Sequence, residues 1–162
     1  HSKEPSDSSG ATALLNELSD PHSSRVVIAA HRGGYENDLA DKAPENSVAN
    51  IRNSQKHGYE LYETDIQLTK DGHFVIVHDP TIERETSGSG KVSEMTLEEL
   101  RALKKRYRDG TLSQEPVATL EEFLKTGKGR TVFKADLKPG VKNHFAAIVA
   151  LLHTHNAEDV IM

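Results

Sequence analysis

The chain contains no cysteine. That excludes a disulfide scaffold, a thiolate zinc site and a thiol nucleophile. No apolar run approaches the ~20 residues that a membrane-spanning helix needs, which excludes a transmembrane reading. A basic surplus is also missing. Lys and Arg number 20 against 25 Asp and Glu, so the formal net charge is −5 and the pI about 6.0. A general nucleic-acid binder carries the opposite balance. What is there is a polar chain of 162 residues, 35% hydrophobic with a mean hydropathy of −0.60. That is enough for one domain with its own core, and the composition is not that of a disordered chain.

Residues 1–24 open on HSKEPSDSSG, a Ser/Asp/Pro stretch without apolar periodicity, and read as a flexible leader. The first residue is His, not Met, which implies that something upstream was removed. A periplasmic or secreted protein after signal cleavage would look like this; the alternative is a cytoplasmic protein with a tag remnant.

Beyond the leader, strands and helices alternate. Arg25 to Ala30 suits a strand buried on both faces, and Asn46 to His57 a helix capped by Asn46 or Ser47 and stopped at Gly58. Tyr59 to Leu68 and His73 to His78 read as strands joined by a Lys70-Asp71-Gly72 turn, hence a hairpin. Thr96 to Lys105 is predicted helical, with a Thr96/Glu99 capping box, and Thr119/Glu122 repeats that device before a short helix ending at Gly127. Arg130 to Leu137 is a third core strand. Asn143 to His155 is an amphipathic helix with Phe145, Ile148, Val149 and Leu152 on one side, and Asp159 to Met162 begins another apolar run. This order implies βα units on a parallel sheet.

The chemistry sits where polar residues end apolar strands. VVIAA runs into His31-Arg32-Gly33-Gly34, which places both side chains at the C-terminal edge of the sheet, where α/β folds keep their sites. Glu63 and Asp65 are two apart on a strand and share a face. Tyr62, Thr64, Ile66 and Leu68 form the side that packs on helices, which sends the carboxylates inward. Two like charges there call for a cation, and hard oxygen donors suit Mg²⁺ or Ca²⁺. His78 ends FVIV, with Asp79 placed to orient its ring or cap the next turn. Asp136 and Lys138 end the third strand; the aspartate could complete a carboxylate cluster, and the lysine could hold a phosphate oxygen or balance the carboxylates. Glu45 precedes a helix, where the dipole favours a carboxylate. Two further matches are weak: Ser89-Gly90-Lys91 lacks the first glycine of a P-loop, and His153 and His155 face different ways on a helix.

Together the segments AHRGG (30–34), APENS (43–47), ETDIQLTKDGHFVIVHDP (63–80), SGSGKVSEMTLEELRALK (87–104) and ADLKPG (135–140) resemble the glycerophosphodiester phosphodiesterase family, in family order. The resemblance implies an α/β fold, a TIM (β/α)8 barrel of the phosphatidylinositol-phosphodiesterase-like type. Residues 25–162 would be its N-terminal part, with 81–117 as the characteristic insertion. It implies a hydrolase of glycerol and lipid metabolism that cleaves a small-molecule glycerophosphodiester to glycerol 3-phosphate and an alcohol.

By the same resemblance, His31 and His78 are the catalytic acid/base pair and Arg32 binds phosphate. Glu63 and Asp65 bind the divalent metal, and Glu45 contacts metal or substrate. Asp136 stands where the family usually has a glutamate ligand, one methylene longer. The family's route uses the substrate's own glycerol hydroxyl first and water second. Two other readings are a sphingomyelinase D-like phospholipid lyase, which shares the barrel and histidine pair, and a non-catalytic phosphate-binding fragment. A TIM barrel usually takes about 250 residues. The 162 present are therefore expected to be weakly active or inactive alone.

Overall fold

The computed structural model describes residues 29–32, 42–155 and 160–161, with the side chains of 29–31 and 160–161 outside the description. The expected leader, the glycine pair Gly33-Gly34 and residues 25–28 of the expected first strand lie outside the described residues.

A parallel sheet organises the molecule. Strands β1 (Ala29–His31), β2 (Leu61–Leu68), β6 (Val132–Leu137) and β7 (Val160–Ile161) lie side by side in the order β1-β2-β6-β7. The expected hairpin forms: β3 (Phe74–Ile76) returns antiparallel on β2, and Gly72 takes the left-handed turn position at φ 84°. β1 pairs with residues 61–63 of β2 and β3 with residues 66–68, while β6 runs along 61–66. At Ile66 both β3 and β6 are hydrogen-bonded partners, so β3 occupies the edge that β1 leaves.

Helices cover one face. Helix α1 (Val48–Lys56) starts at Ser47, whose hydroxyl accepts from the Asn50 N–H at 3.1 Å. The cap is therefore Ser47, and Asn46 takes another task. Helix α3 (Leu120–Gly127) begins at the Thr119 cap, and α4 (Phe145–Thr154) follows β6. Tyr62 and Ile66 of β2 pack among Ile51, Phe123, Phe133 and Ile148, as the alternation predicts. The rings of Tyr62, Phe123 and Phe133 stand 5.7–5.9 Å apart, two pairs edge-on. Gly127 is in the way of nothing only because it has no Cβ, which would lie 2.4 Å from the Phe133 ring. Phe145 departs from its expected face. It is 49% exposed at the first turn of α4, where only Ile148 is fully buried.

Residues 81–117 pack on the hairpin strand β3. Val75, Val77, Ile82, Val92, Leu100 and Val117 form a second apolar cluster. The helix expected over Thr96 to Lys105 has its capping box but ends early, as α2 (Leu97–Arg101). The next residues form β4 (Lys104–Arg106), which pairs antiparallel with β5 (Leu112–Pro116). Lys105 also bridges Thr86, and these sheet contacts outcompete another helical turn. Among the described residues no helix is long and apolar enough to cross a membrane.

Candidate active site

Register assembles the site. Glu63 lies opposite Lys134, and Asp65 opposite Asp136, on adjacent parallel strands. Residues in register share a face, so the four charged side chains line one side of the sheet at its C-terminal end. Together with His78 they bound a recess of about 330 Å³. Lys138 pairs with two of its carboxylates, its Nζ 3.1 Å from Asp65 Oδ1 and 2.8 Å from Asp136 Oδ2. Burial alone would lower the Lys138 value, but its bonds to Asp136 and Asp65 raise it. Of the two tasks expected of Lys138, balancing the carboxylates is the one its contacts display. Among the described residues no three His, Asp or Glu side chains gather as a metal cage.

Asp65 is held from its other side by Asn46, whose Nδ2 donates to Oδ2 at 3.1 Å while its Oδ1 accepts from Thr64 Oγ1 at 3.1 Å. Asn46 is left-handed at φ 53°, a conformation asparagine tolerates. Arg32 is left-handed too, at φ 49°, which is unusual for a long side chain. Its N–H donates to Glu63 O at 2.8 Å and its carbonyl accepts from Asn46 N at 3.1 Å, so the strain is fixed by two backbone bonds. The Arg32 guanidinium points to Glu45, Nη1 to Oε2 at 3.2 Å.

A chain of charges joins Glu45 to His78. Arg84 donates to Glu45 Oε1 through Nη1, to Asp79 Oδ2 through Nε at 2.6 Å and to Asp79 Oδ1 through Nη2 at 3.1 Å. Burial would raise the Glu45 value, but the Arg84 bond and the charges of Arg84, Lys105 and Arg32 bring it below the ordinary one. The Arg84 bond is the main reason that the Asp79 carboxyl falls to about 2, with His78 adding to it against partial burial. An ionised carboxylate can only accept. His78 Nδ1, 2.6 Å from Asp79 Oδ1, must therefore carry the proton, and Nε2 is the nitrogen left for a reacting group. Of the two tasks expected of Asp79, it orients the ring.

This arrangement predicts a titration. The folded value of Asp79 lies below its ordinary 3.8. Its stabilising contribution is complete above the unfolded value of about 3.9 and is lost as pH falls through about 2. Carbon-detected NMR should place the Asp79 carboxyl transition near 2, and Arg84→Ala should return it toward about 3.9. A transition that stays low in the variant would remove Arg84 as the cause.

Glu63, Asp65, His78 and Asp136 thus share one recess, and Arg32 and Glu45 join it through Arg84 and Asp79. The His31 backbone pairs with Glu63 at the same strand end; its imidazole lies outside the described residues. Sequence reasoning points to Asn46 only as a possible helix cap and does not reach Arg84, Glu85 or Lys105. Asp109-Gly110, an Asp-Gly pair, is the signal that would have made 104–116 a hairpin and put Lys105 on a strand, with a side chain pointing inward.

Comparison with known proteins gives a consistent result. The model of the glycerophosphoryl diester phosphodiesterase family matches residues 31–160. A glycerophosphodiester phosphodiesterase of Caldanaerobacter subterraneus subsp. tengcongensis is 35% identical over 119 residues, 72% of this chain and 47% of that protein. Human glycerophosphodiester phosphodiesterase 1 is 42% identical over 79 residues, 49% of this chain and 22% of that protein. Among solved structures, a glycerophosphoryl diester phosphodiesterase from Parabacteroides distasonis superposes with a TM-score of 0.80 at 29% identity, over 94% of this chain and 51% of that one. An Oleispira antarctica phosphodiesterase in complex with the product sn-glycerol-3-phosphate gives 0.68 at 26% identity, over 83% of this chain and 55% of that one. The chain spans about half the length, or less, of these relatives. These neighbours carry a TIM-barrel-like α/β fold, and the parallel sheet with its covering helices matches that class. Matched over 130 of its 162 residues (31 to 160), this chain belongs to the glycerophosphoryl diester phosphodiesterase family.

Proposed function

We propose that the protein hydrolyses glycerophosphodiesters to glycerol 3-phosphate and an alcohol, with His31 and His78 as the acid/base pair. The observation that carries this is the His78 imidazole, held by an ionised Asp79 through Nδ1, beside a carboxylate-lined recess at the strand ends. A phosphodiester is an anion that repels its nucleophile. Arg32, aimed by Glu45, is the group to take a non-bridging oxygen as charge builds in the transition state. One histidine removes a proton from the attacking hydroxyl and the other gives one to the leaving alcohol. Nε2 of His78 suits either task. The family membership and a neighbour that binds sn-glycerol-3-phosphate support the substrate class.

A divalent cation, Ca²⁺ or Mg²⁺, fits the donor chemistry. Glu63 and Asp65 offer carboxylate oxygens on one face, and the Lys138 ammonium already stands in for positive charge between Asp65 and Asp136. When bound, such an ion supplies charge stabilisation at the phosphoryl oxygens. Glu63 and Asp65 would hold it. Asp136, 64% exposed at its side chain, is paired to Lys138 and would become a third donor only on leaving it.

The test is release of glycerol 3-phosphate from glycerophosphocholine by the complete natural protein that carries this sequence. Turnover, its abolition by EDTA and its recovery with Mg²⁺ or Ca²⁺ are expected. Turnover of sphingomyelin without glycerophosphocholine would replace this reading with the lyase. Tight binding of glycerol phosphate without turnover of either would replace it with a binding module.

A further inference from the structure

Two buried charges stand outside the chemistry just described. Glu85 is 1% exposed and Lys105 fully buried. The Glu85 carboxylate accepts from two successive peptide groups, His78 N at 3.0 Å on Oε1 and Asp79 N at 2.8 Å on Oε2. Lys105 Nζ does the converse on another loop, donating to Glu45 O at 2.6 Å and Asn46 O at 3.3 Å. Backbone pairing puts the two side by side: Arg106 N donates to Glu85 O at 2.7 Å, and Thr86 bridges Lys105. The same hairpin reaches the second loop again at Lys42, which bonds Asp109 at 3.0 Å and lies over the Tyr107 ring.

We propose that Glu85 and Lys105 are positioning residues, a clamp of opposite charges that fixes the His78 loop against the Glu45–Asn46 loop. The anion takes up peptide N–H groups on one side and the cation takes up carbonyls on the other. Residues 81–117 thereby fix the separation between the proton-transfer group and the arginine-holding carboxylate. Fold stability is a poor reason for the pair, because two desolvated charges can commonly be replaced by neutral side chains without loss. Placement is a better one. Small displacements of a reacting group cost turnover steeply.

The catalytic arm of the test rests on the function proposed above; the amide arm does not. In the doubly neutral variant Glu85→Gln, Lys105→Met, hydrogen exchange at the His78 and Asp79 amides should quicken about tenfold or more, with protection in β2 and β6 unchanged. In the complete protein, kcat for glycerophosphocholine should fall about 10- to 100-fold with KM little altered. Some loss of thermal stability is expected, because Lys105→Met leaves Glu45 O and Asn46 O without that donor, but unfolding should stay cooperative. Lys105→Arg, which keeps a buried donor, should retain more activity than Lys105→Met. Unchanged exchange at both amides would overturn the clamp, and so would a double variant that fails to fold, since the pair would then be a stability element. Faster exchange in a protein that hydrolyses no glycerophosphodiester would leave the clamp standing and remove the function it serves.

Discussion

His78→Ala is expected to lower turnover of glycerophosphocholine by about 10²- to 10⁴-fold, the usual worth of a placed acid or base. The side chain is 30% exposed, and its recorded polar contact is the Nδ1 bond to Asp79. The peptide N–H that Glu85 holds survives the substitution, so the loop keeps its anchor. Thermal stability should therefore change little, and the loss should fall on kcat. His73 is the internal control. It lies beyond the hairpin turn, 54% exposed, 3.8 Å from Asp71, and its replacement by alanine should leave turnover intact. Full activity in His78→Ala would remove this residue from the proton-transfer pair. Equal losses in the two variants would mean that the assay reports hairpin integrity and not chemistry.

The largest stability effect is expected from Phe123→Ala, about 3–5 kcal/mol. Phe123 is 1% exposed on α3, and its ring meets Tyr62 and Phe133 at 5.7 Å each. It thereby joins the helical layer to the two central strands, β2 and β6. Collapse around the resulting cavity is restricted, because Tyr62 and Phe133 are themselves fixed on paired strands at adjacent register positions. Urea unfolding of parent and variant, compared at equal m-value, measures the difference. A change below about 1 kcal/mol would mean that the layer closes up over the gap and that this aromatic cluster is not the centre of the core.

Local signals in the sequence were read correctly where the structure is local. Asp71-Gly72 forms the hairpin turn, Thr96 and Glu99 make their reciprocal cap, and β2 alternates so that Tyr62 and Ile66 face the helices. The strand-end rule brings Glu63, Asp65 and Asp136 to one edge, because a parallel sheet converts position along a strand into a place at one edge, whereas His78 reaches their recess from β3, which returns antiparallel along β2. That rule could not find Arg84, Glu85 or Lys105. Lys105 sits between Lys104 and Arg106, two cations of the same kind, and only its pairing with Thr86 turns it inward. The same pairing cut short the helix that composition predicted through Lys105. The sequence offers Asn46 or Ser47 as the cap; Ser47 takes it, and the left-handed Asn46 spans Thr64 and Asp65. Such roles depend on partners far away along the chain, which no periodicity records.

The edge of β2 has one further consequence. β1 uses positions 61–63 and β3 positions 66–68, so among the described residues the intervening Thr64 and Asp65 have no strand on that side. The sheet is locally unstitched at the place where Asn46 enters and the recess opens. Residues 81–117 follow β3 on the far side of this gap, and their Ile82, Val92, Leu100 and Val117 pack against Val75 of β3 and the nearby Val77. The insertion is therefore seated on the hairpin, and a change in its apolar face would reach the His78 loop through Val75 and Val77.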